Sequence, residues 1–480
     1  MGYLIYSRKI IDQNLLKAER IISARHNLPS RWSLRPPSNG EREDMRSYFT
    51  SLLDPKGYLT RDLTNDERLW ILIESTFCKV DFLYFATHYG KILDWTGRPS
   101  YFNPNIAQRI VLDLMAEAEQ RSFAILMMVL KARQLGITTL AQHLLGHRGF
   151  FYPNVAAYTG SAEESKSRTM VKKLEYIWDN VPWYLRPRRT AYQAGDFMEF
   201  GDLNSAVYVQ WGNQKGGIAR GATPTIAHMS EVSTYLNPDE LIDSSLTRAM
   251  HENPFALLIL ESTANALGDW WHKTWEFSVE MDGRGIAKYK PIFLPWYVGQ
   301  DLYPTKSWLA RRPVPSNWIV PEYVTKHALA ARNYVRSNPM LTKVLGPSWE
   351  MSSGQQWWYW IEYEEAKAKN QLHLLLRELP ASADEAFQNS NPSVFSLETL
   401  IEIRTDATAA TPVGTYQIAG STIPAIYNTY STSGDPLDVK CYVSSEVVES
   451  FTLGKLVMDS WPDKVCDSKL YIWEMPQTGE

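Results

Sequence analysis

The chain has 480 residues, a length that suggests about three domains. Its 49 Lys and Arg against 53 Asp and Glu leave a net charge of −4, too balanced for a bulk-basic nucleic-acid binder or an acidic tail. With 44% hydrophobic and 21% charged residues wholesale disorder is excluded, and three scattered cysteines (Cys78, Cys441 and Cys466) argue against a disulfide framework or zinc module.

The opening MGYLIYSRKI has no apolar core of a signal peptide, and Tyr6 stands where myristoylation needs Ser or Thr. Residues 1–100 read as a helical region or lid, broken by polar loops such as Pro36-Pro37-Ser38-Asn39-Gly40. From 101 to 304 short apolar runs alternate with helical stretches. The runs are Ala124–Leu130, Val155–Thr159, Ala206–Trp211, Thr225–Met229, Phe255–Leu260 and Pro291–Leu294. This texture predicts an α/β core with a mainly parallel central sheet flanked by helices. Ser161-Ala162-Glu163-Glu164 reads as a capping box for the helix after the second run. Residues 305–395 are again helical and aromatic-rich, a lid and linker. Residues 396–480, in which Thr405 to Gly434 are rich in Thr, Ala, Ser and Gly and short β-like runs follow, predict a small β-rich segment. The longest apolar run, Phe123 to Leu130, is far short of a bilayer span, so a soluble protein of a reducing compartment with no membrane partner is expected.

The first strand of the core runs into Lys131-Ala132-Arg133-Gln134-Leu135-Gly136-Ile137-Thr138-Thr139, followed by a helix through Leu145. Strand, glycine-bearing loop, Thr pair and helix are the layout of a phosphate-binding loop, in which amides at a helix N-terminus cradle phosphates. Thr138 would sit on Mg²⁺. Ile137 occupies the usual lysine position, and Lys131, at the mouth of the loop, is the replacement. Two later strands join it. Thr225-Ile226-Ala227-His228-Met229 leads into Ser230-Glu231, where P-loop enzymes place a metal-holding acid and a water-activating acid. Ser230 brings a hydroxyl but no charge, and Glu231 is the candidate general base. Phe255 to Leu260 leads into Glu261-Ser262-Thr263-Ala264-Asn265-Ala266, whose hydroxyls and amide suit sensing of a terminal phosphate.

Taken together, Lys131…Gly136-Ile137-Thr138, Met229-Ser230-Glu231-Val232 and Glu261-Ser262-Thr263-Ala264-Asn265 resemble the ATPase half of large terminase subunits, the genome-packaging motors of tailed bacteriophages. Phe102-Asn103-Pro104 with Gln108 is similar to the adenine-reading segment of that family. Glu378-Leu379-Pro380 with Asp384-Glu385-Ala386-Phe387 is similar to the stretch that closes its ATPase region. The resemblance covers roughly residues 80–400. It implies an ASCE-type P-loop ATPase with ATP and Mg²⁺ as cofactors, acting in the host cytoplasm and at the procapsid portal vertex. The partners it implies are double-stranded DNA, the portal protein, a small terminase subunit and further copies of the chain in a ring, usually of five. By the same resemblance Gln108 contacts adenine, Lys131 and the Gly136–Thr139 backbone bind phosphates, and Thr138 ligates Mg²⁺; Ser230 departs from the family's usual acid and offers only a hydroxyl that could hold a metal-bound water. Glu231 activates water, and Ser262 and Thr263 couple hydrolysis to movement.

The family continues into a ribonuclease-H-like nuclease whose clustered acids hold two metals. Asp406, Asp435, Asp438 and Asp463 lie in turn-like surroundings, so the chain is expected to be the ATPase portion without cleavage acids. Two other readings stay open: a helicase or remodeller on the same core, and a catalytically inert nucleotide-binding docking module if Ser230 and Ile137 mark a dead site. Among the remaining signals, the basic loop Gly212–Gly221 offers Arg220 to a neighbour's γ-phosphate or Lys215 to DNA, and Arg133 is a second candidate for that arginine. His143 and His147 share a helix face without the glutamate of a zinc protease, and Arg186-Pro187-Arg188-Arg189 reads as a solvated or DNA-facing run. The Trp357–Trp360 cluster reads as helix packing.

Overall fold

A computed structural model of the chain describes residues 38–94, 96–121, 124–212, 223–250, 253, 256–299 and 302–387, with three strands between 412 and 441. Two compact units divide the chain, Met1–Pro392 and Ser393–Glu480; the first contains the core and the helical segments on either side of it.

Two helices of the N-terminal region, Asn39–Ser51 and Asn65–Val80, each begin with a reciprocal capping box, Ser38 with Glu41 and Thr64 with Glu67. Such a box satisfies two of the amide donors that a helix start leaves open. A short hairpin follows, β1 Lys91–Leu93 and β2 Pro99–Tyr101. This region is anchored to the core by backbone carbonyls: His147 Nε2 lies 2.7 Å from Cys78 O, and Tyr152 Oη donates to Lys79 O at 2.6 Å.

The centre of the first unit is an eight-stranded sheet. In chain order its strands are β3 Ile125–Lys131, β4 Ala156–Ser161, β5 Arg189–Gln193, β6 Phe197–Phe200, β7 Ser205–Trp211, β8 Ile226–Ser230, β9 Leu257–Ser262 and β10 Lys290–Leu294. Their spatial order is β10-β3-β9-β8-β4-β7-β6-β5. The pairings from β10 to β7 are parallel, and β6 and β5 close one edge antiparallel. This is the expected α/β fold with a mainly parallel central sheet. The physical cause is visible along β3. Ile125, Met127 and Val129 enter one hydrophobic cluster and Leu126, Met128 and Leu130 the other, so each face of the strand has its own core. A strand covered on both faces needs an unbroken apolar run.

The sequence-based bounds shift in two places with consequences. The strand expected over Phe255–Leu260 is β9 Leu257–Ser262, so Glu261 and Ser262 are ladder residues inside the sheet rather than loop residues beyond it. The capping box expected at Ser161–Glu164 does not form. Ser161 stays in β4, paired with Trp211, and its N–H donates to Ser167 Oγ at 2.9 Å. The helix Glu164–Asn180 starts after Glu163 with no side-chain cap. The antiparallel edge β5–β6 was not foreseen, because β5 is largely exposed and β6, with Met198 and Phe200 buried, is only four residues long and broken by Glu199.

After β10 the chain is helical to Phe387. Trp296 is the packing centre there: it stacks on Tyr359 at 5.7 Å and meets Trp358 at 5.2 Å. The Trp357–Trp360 segment thus serves packing within and between helices, with Trp357 and Trp360 stacked at 4.8 Å. The second unit contains an antiparallel meander, β11 Pro412–Ile418, β12 Ser421–Tyr430 and β13 Leu437–Cys441. Asp438 lies within β13, opposite Thr429, rather than in a turn. Asp406, Asp435 and Asp463 lie outside the described residues. Among the described residues no helix is long and apolar enough to cross a membrane.

Candidate nucleotide site

Lys131 is the last residue of β3, opposite Leu294. Beyond it the Ala132 N–H donates to Leu294 O at 2.9 Å and the Arg133 N–H to Glu378 O at 3.2 Å. The loop then turns through two left-handed residues, Gln134 at φ 60° and Gly136 at φ 77°. Gly136 is needed on two counts: its φ disfavours any side chain, and a Cβ there would stand 2.7 Å from Gln108 Nε2. The helix Ile137–Phe151 follows. Its ladder opens with Leu140 N–H to Gly136 O at 3.1 Å. The amides of Ile137, Thr138 and Thr139 precede that ladder, at the end of the helix whose dipole favours an anion.

Gln108 braces this loop. Its Nε2 donates to Gly136 O at 2.7 Å, and the neighbouring Asn105 Nδ2 donates to Leu135 O at 3.1 Å. Asn105 and Gln108 also exchange backbone-to-side-chain bonds at 2.8 and 3.0 Å. The residue expected at adenine is therefore in contact with the loop between β3 and the helix, with its side-chain amide on the loop backbone.

Glu261 is the hub of the site. It is fully buried on β9, in register with Val129 of β3 and Ser230 of β8. Thr138 Oγ1 donates to its Oε1 at 2.5 Å, His228 Nε2 lies 2.9 Å from the same oxygen, and Lys131 Nζ is 3.7 Å from Oε2. Gln142 Nε2 lies 3.2 Å from His228 Nδ1 and 2.8 Å from Thr159 Oγ1. With Gln142 Nε2 as the donor to Nδ1, the imidazole is assigned with its proton on Nε2, directed to the carboxylate. Burial alone would raise the Glu261 pKa, but the Lys131 charge and the His228 and Thr138 hydrogen bonds prevail and lower it to about 2. Its Oε2 makes no hydrogen bond.

Ser230 ends β8 and is buried, and Glu231 follows with a left-handed backbone, φ 58°. That conformation is costly for a residue with a Cβ and recurs at functional sites. The Glu231 side chain is 45% exposed and pairs with Lys166 Nζ at 2.9 Å, which also reaches Glu163 at 3.2 Å. The turn after Glu231 is tied to the end of β9. Ser262 Oγ donates to Ser233 Oγ at 2.7 Å and accepts from the Ser233 N–H at 3.2 Å, and Asn265 Nδ2 donates to Ser233 O at 3.3 Å. Thr263 directly follows β9 and is partly buried.

The structure thus brings Lys131, Thr138, Ser230 and the Glu261-Ser262 pair to one end of the parallel sheet. Arg133 has its guanidinium paired with Glu378 in the same chain. Arg220 and Lys215 lie outside the described residues. His143 is held through Nδ1 at 2.9 Å from Thr139 O and stacks on Phe102, and His147 sits against Cys78 O. In the basic run, Arg186 and Arg189 each lie 4.2 Å from the Trp178 ring, and Arg188 pairs with Asp202 at 3.0 Å. Sequence reasoning assigned no role to Glu261, His228, Gln142, Lys166 or Glu378. The available signal for Glu261 was a carboxylate directly following four apolar residues, Leu257 to Leu260, a placement that burial tolerates only with partners.

The donors at this point are hard oxygens, the Thr138 hydroxyl and a carboxylate with one oxygen unbonded. They suit Mg²⁺, which takes one or two protein ligands beside phosphate oxygens. Among the described residues no group of three His, Cys, Asp or Glu side chains is placed to hold a metal without phosphates.

No protein-family model and no curated protein matches the chain. Among solved structures it is similar to the HK97 bacteriophage large terminase, with 14% identity, 75% of this chain and 66% of that one covered, and a TM-score of 0.41. It is also similar to the large terminase of a thermophilic bacteriophage, with 13% identity, 44% and 50% covered and a TM-score of 0.34. The ATPase domain of the Thermus phage P74-26 large terminase matches at 15% identity, 45% of this chain and 90% of that one, with a TM-score of 0.31. The chain therefore spans just under two thirds of the first of these proteins and half of the second.

Proposed function

We propose that the chain is the ATP-hydrolysing motor part of a large-terminase-type machine that drives double-stranded DNA into a procapsid through its portal. The observation that carries the reading is a strand order with a chemical consequence. The phosphate-loop strand β3 and the Ser230-Glu231 strand β8 are separated by one strand, β9. Both ends of the loop, Lys131 and Thr138, converge on the carboxylate of that intervening strand. The inserted strand is the arrangement that an ASCE-type ATPase requires.

In this reading the amides of Gly136 to Thr139 and the Lys131 ammonium bind the phosphates, with Ala132, Gln134, Leu135 and Ile137 shaping the loop. Thr138 and Ser230 face the metal; Mg²⁺ would offset phosphate charge in the transition state. Glu231, on its strained turn, orients the attacking water and accepts its proton. Ser262, bonded to the turn that begins at Glu231, and Thr263 transmit the state of that turn to the rest of the chain. Arg133 and Arg220 are the candidates to reach a neighbour's nucleotide in a ring of copies. DNA contact is expected on phosphates, and hence to be independent of sequence and weakened by salt. Portal protein and small terminase subunit complete the partner set, in the host cytoplasm.

The inert docking module is the second reading, favoured by the missing acid at Ser230 and by the engagement of Glu231 with Lys166. Phosphate release from ATP separates the two. Turnover by the wild-type chain, stimulated by duplex DNA and lost in Glu231→Gln, supports the motor. Equal trace rates in both proteins, with nucleotide binding intact, support the module.

A further inference from the structure

The position that ends β8 holds Ser230, so the charge that a P-loop site places beside its metal-holding hydroxyl is absent from that strand. The parallel register puts Ser230 directly opposite Glu261 on the neighbouring strand. Glu261 is fully buried, and Thr138 Oγ1 binds its Oε1 at 2.5 Å. The same oxygen is held from behind by His228, itself fixed by Gln142. Its other oxygen, Oε2, makes no hydrogen bond and has Lys131 Nζ at 3.7 Å. A buried carboxylate oxygen without a hydrogen bond is costly, and a carboxylate is a preferred oxygen ligand of Mg²⁺.

We propose that Glu261 supplies the anionic group of the metal site, replacing across one strand pairing the acid that Ser230 lacks, with His228 as its positioning residue. This rests on the nucleotide-binding reading of the loop and assigns a residue to which the β8 motif gives no part. It also accounts for a polar column buried under the sheet end. Among the described residues, the side-chain hydrogen bonds that join Gln142, Thr159 and His228 reach the site at Glu261. A packing-only core has no need of such a chain, whereas orientation of a ligand carboxylate does.

The test measures binding of a nonhydrolysable ATP analogue to the full chain with Mn²⁺ and with EDTA, together with the electron paramagnetic resonance spectrum of bound Mn²⁺. The ratio of the two affinities isolates the metal, because Lys131 and the loop amides contribute under both conditions. Wild-type protein is expected to gain affinity from Mn²⁺. Glu261→Gln should reduce that gain about 10- to 100-fold while the EDTA affinity changes little. The double variant Ser230→Asp, Glu261→Gln should recover much of it, since the new acid stands opposite the lost one. A merely structural role would lower both affinities together and would not be rescued from residue 230. Should Glu261→Gln fail to fold by circular dichroism, Glu261→Asp keeps the charge but shortens the reach, and the same loss of metal-dependent gain is expected. An unchanged gain in a folded Gln or Asp variant overturns the proposal. Wild-type protein that binds nucleotide equally with and without Mn²⁺ overturns the metal assignment alone, and wild-type protein that binds no nucleotide overturns the ATPase reading with it.

Discussion

Glu231 is held 2.9 Å from Lys166, a residue of the helix that follows β4, and both side chains are close to half exposed. An exposed pair of this kind contributes about 0–1 kcal/mol to stability, so its removal should leave the fold intact. Lys166→Ala is expected to melt within a few degrees of wild type and to keep ATP turnover within a few-fold. Glu231→Gln should lose turnover by about 10²- to 10⁴-fold at unchanged nucleotide affinity. Comparable losses in both variants would mean that the pair, and not the carboxylate, is what matters.

Lys131 is largely buried against the fully buried Glu261. Truncating one partner of such a pair leaves the other charge uncompensated, at a cost of about 3–5 kcal/mol. Lys131→Ala should therefore combine a lower urea midpoint with weaker nucleotide binding, while bound phosphate analogues restore only part of the stability. A variant of unchanged midpoint would place the lysine outside the site.

Gly136 and Gln108 make a coupled prediction. Gly136→Ala meets both a left-handed φ and the Gln108 amide, so a loss of about 1–3 kcal/mol is expected. Adding Gln108→Ala removes the clash but leaves the backbone strain and forfeits the bond to Gly136 O. Partial recovery in the double variant, read as a non-additive double-mutant cycle, is the expected outcome; full additivity would mean that the two residues do not touch.

Acid should weaken the fold well before carboxylates alone would do so. Burial lowers the pKa of His143 to about 4 and of His147 to about 3, each reinforced by a nearby cation. Unfolded, both would protonate near their ordinary value of 6.5. A depressed folded pKa means that the unfolded chain binds more protons as pH falls. The stability is therefore full above pH 6.5 and declines toward the folded values, by about 1.4 kcal/mol per pH unit for each group. Glu261 acts with the same sign lower down, losing its contribution as pH falls toward about 2. Urea midpoints from pH 7.5 to 4.5 check this, and a flat profile would contradict neutral buried imidazoles.

The order of elements around the loop is legible in the sequence. Lys131 through Thr139 follow one another in the chain, so strand, loop glycine, hydroxyl and helix could be read in order. The mainly parallel sheet was legible too, because strands buried on both faces leave apolar runs such as Met127-Met128-Val129-Leu130. The antiparallel edge at Arg189–Phe200 was not, since half-exposed strands leave no such run.

Local periodicity and turn chemistry were enough to place a glycine-bearing loop between an apolar strand and a helix, and two later strands that lead into Ser230-Glu231 and Glu261-Ser262. Only the folded chain decided that β9 lies between the other two, and that its register carries Glu261 rather than Ser230 to Thr138, 123 residues away along the chain. Periodicity records which face of an element is buried. Which strands become neighbours depends on how crossovers cover both faces of the sheet, and a buried charge is then tolerable only where that packing has gathered its partners.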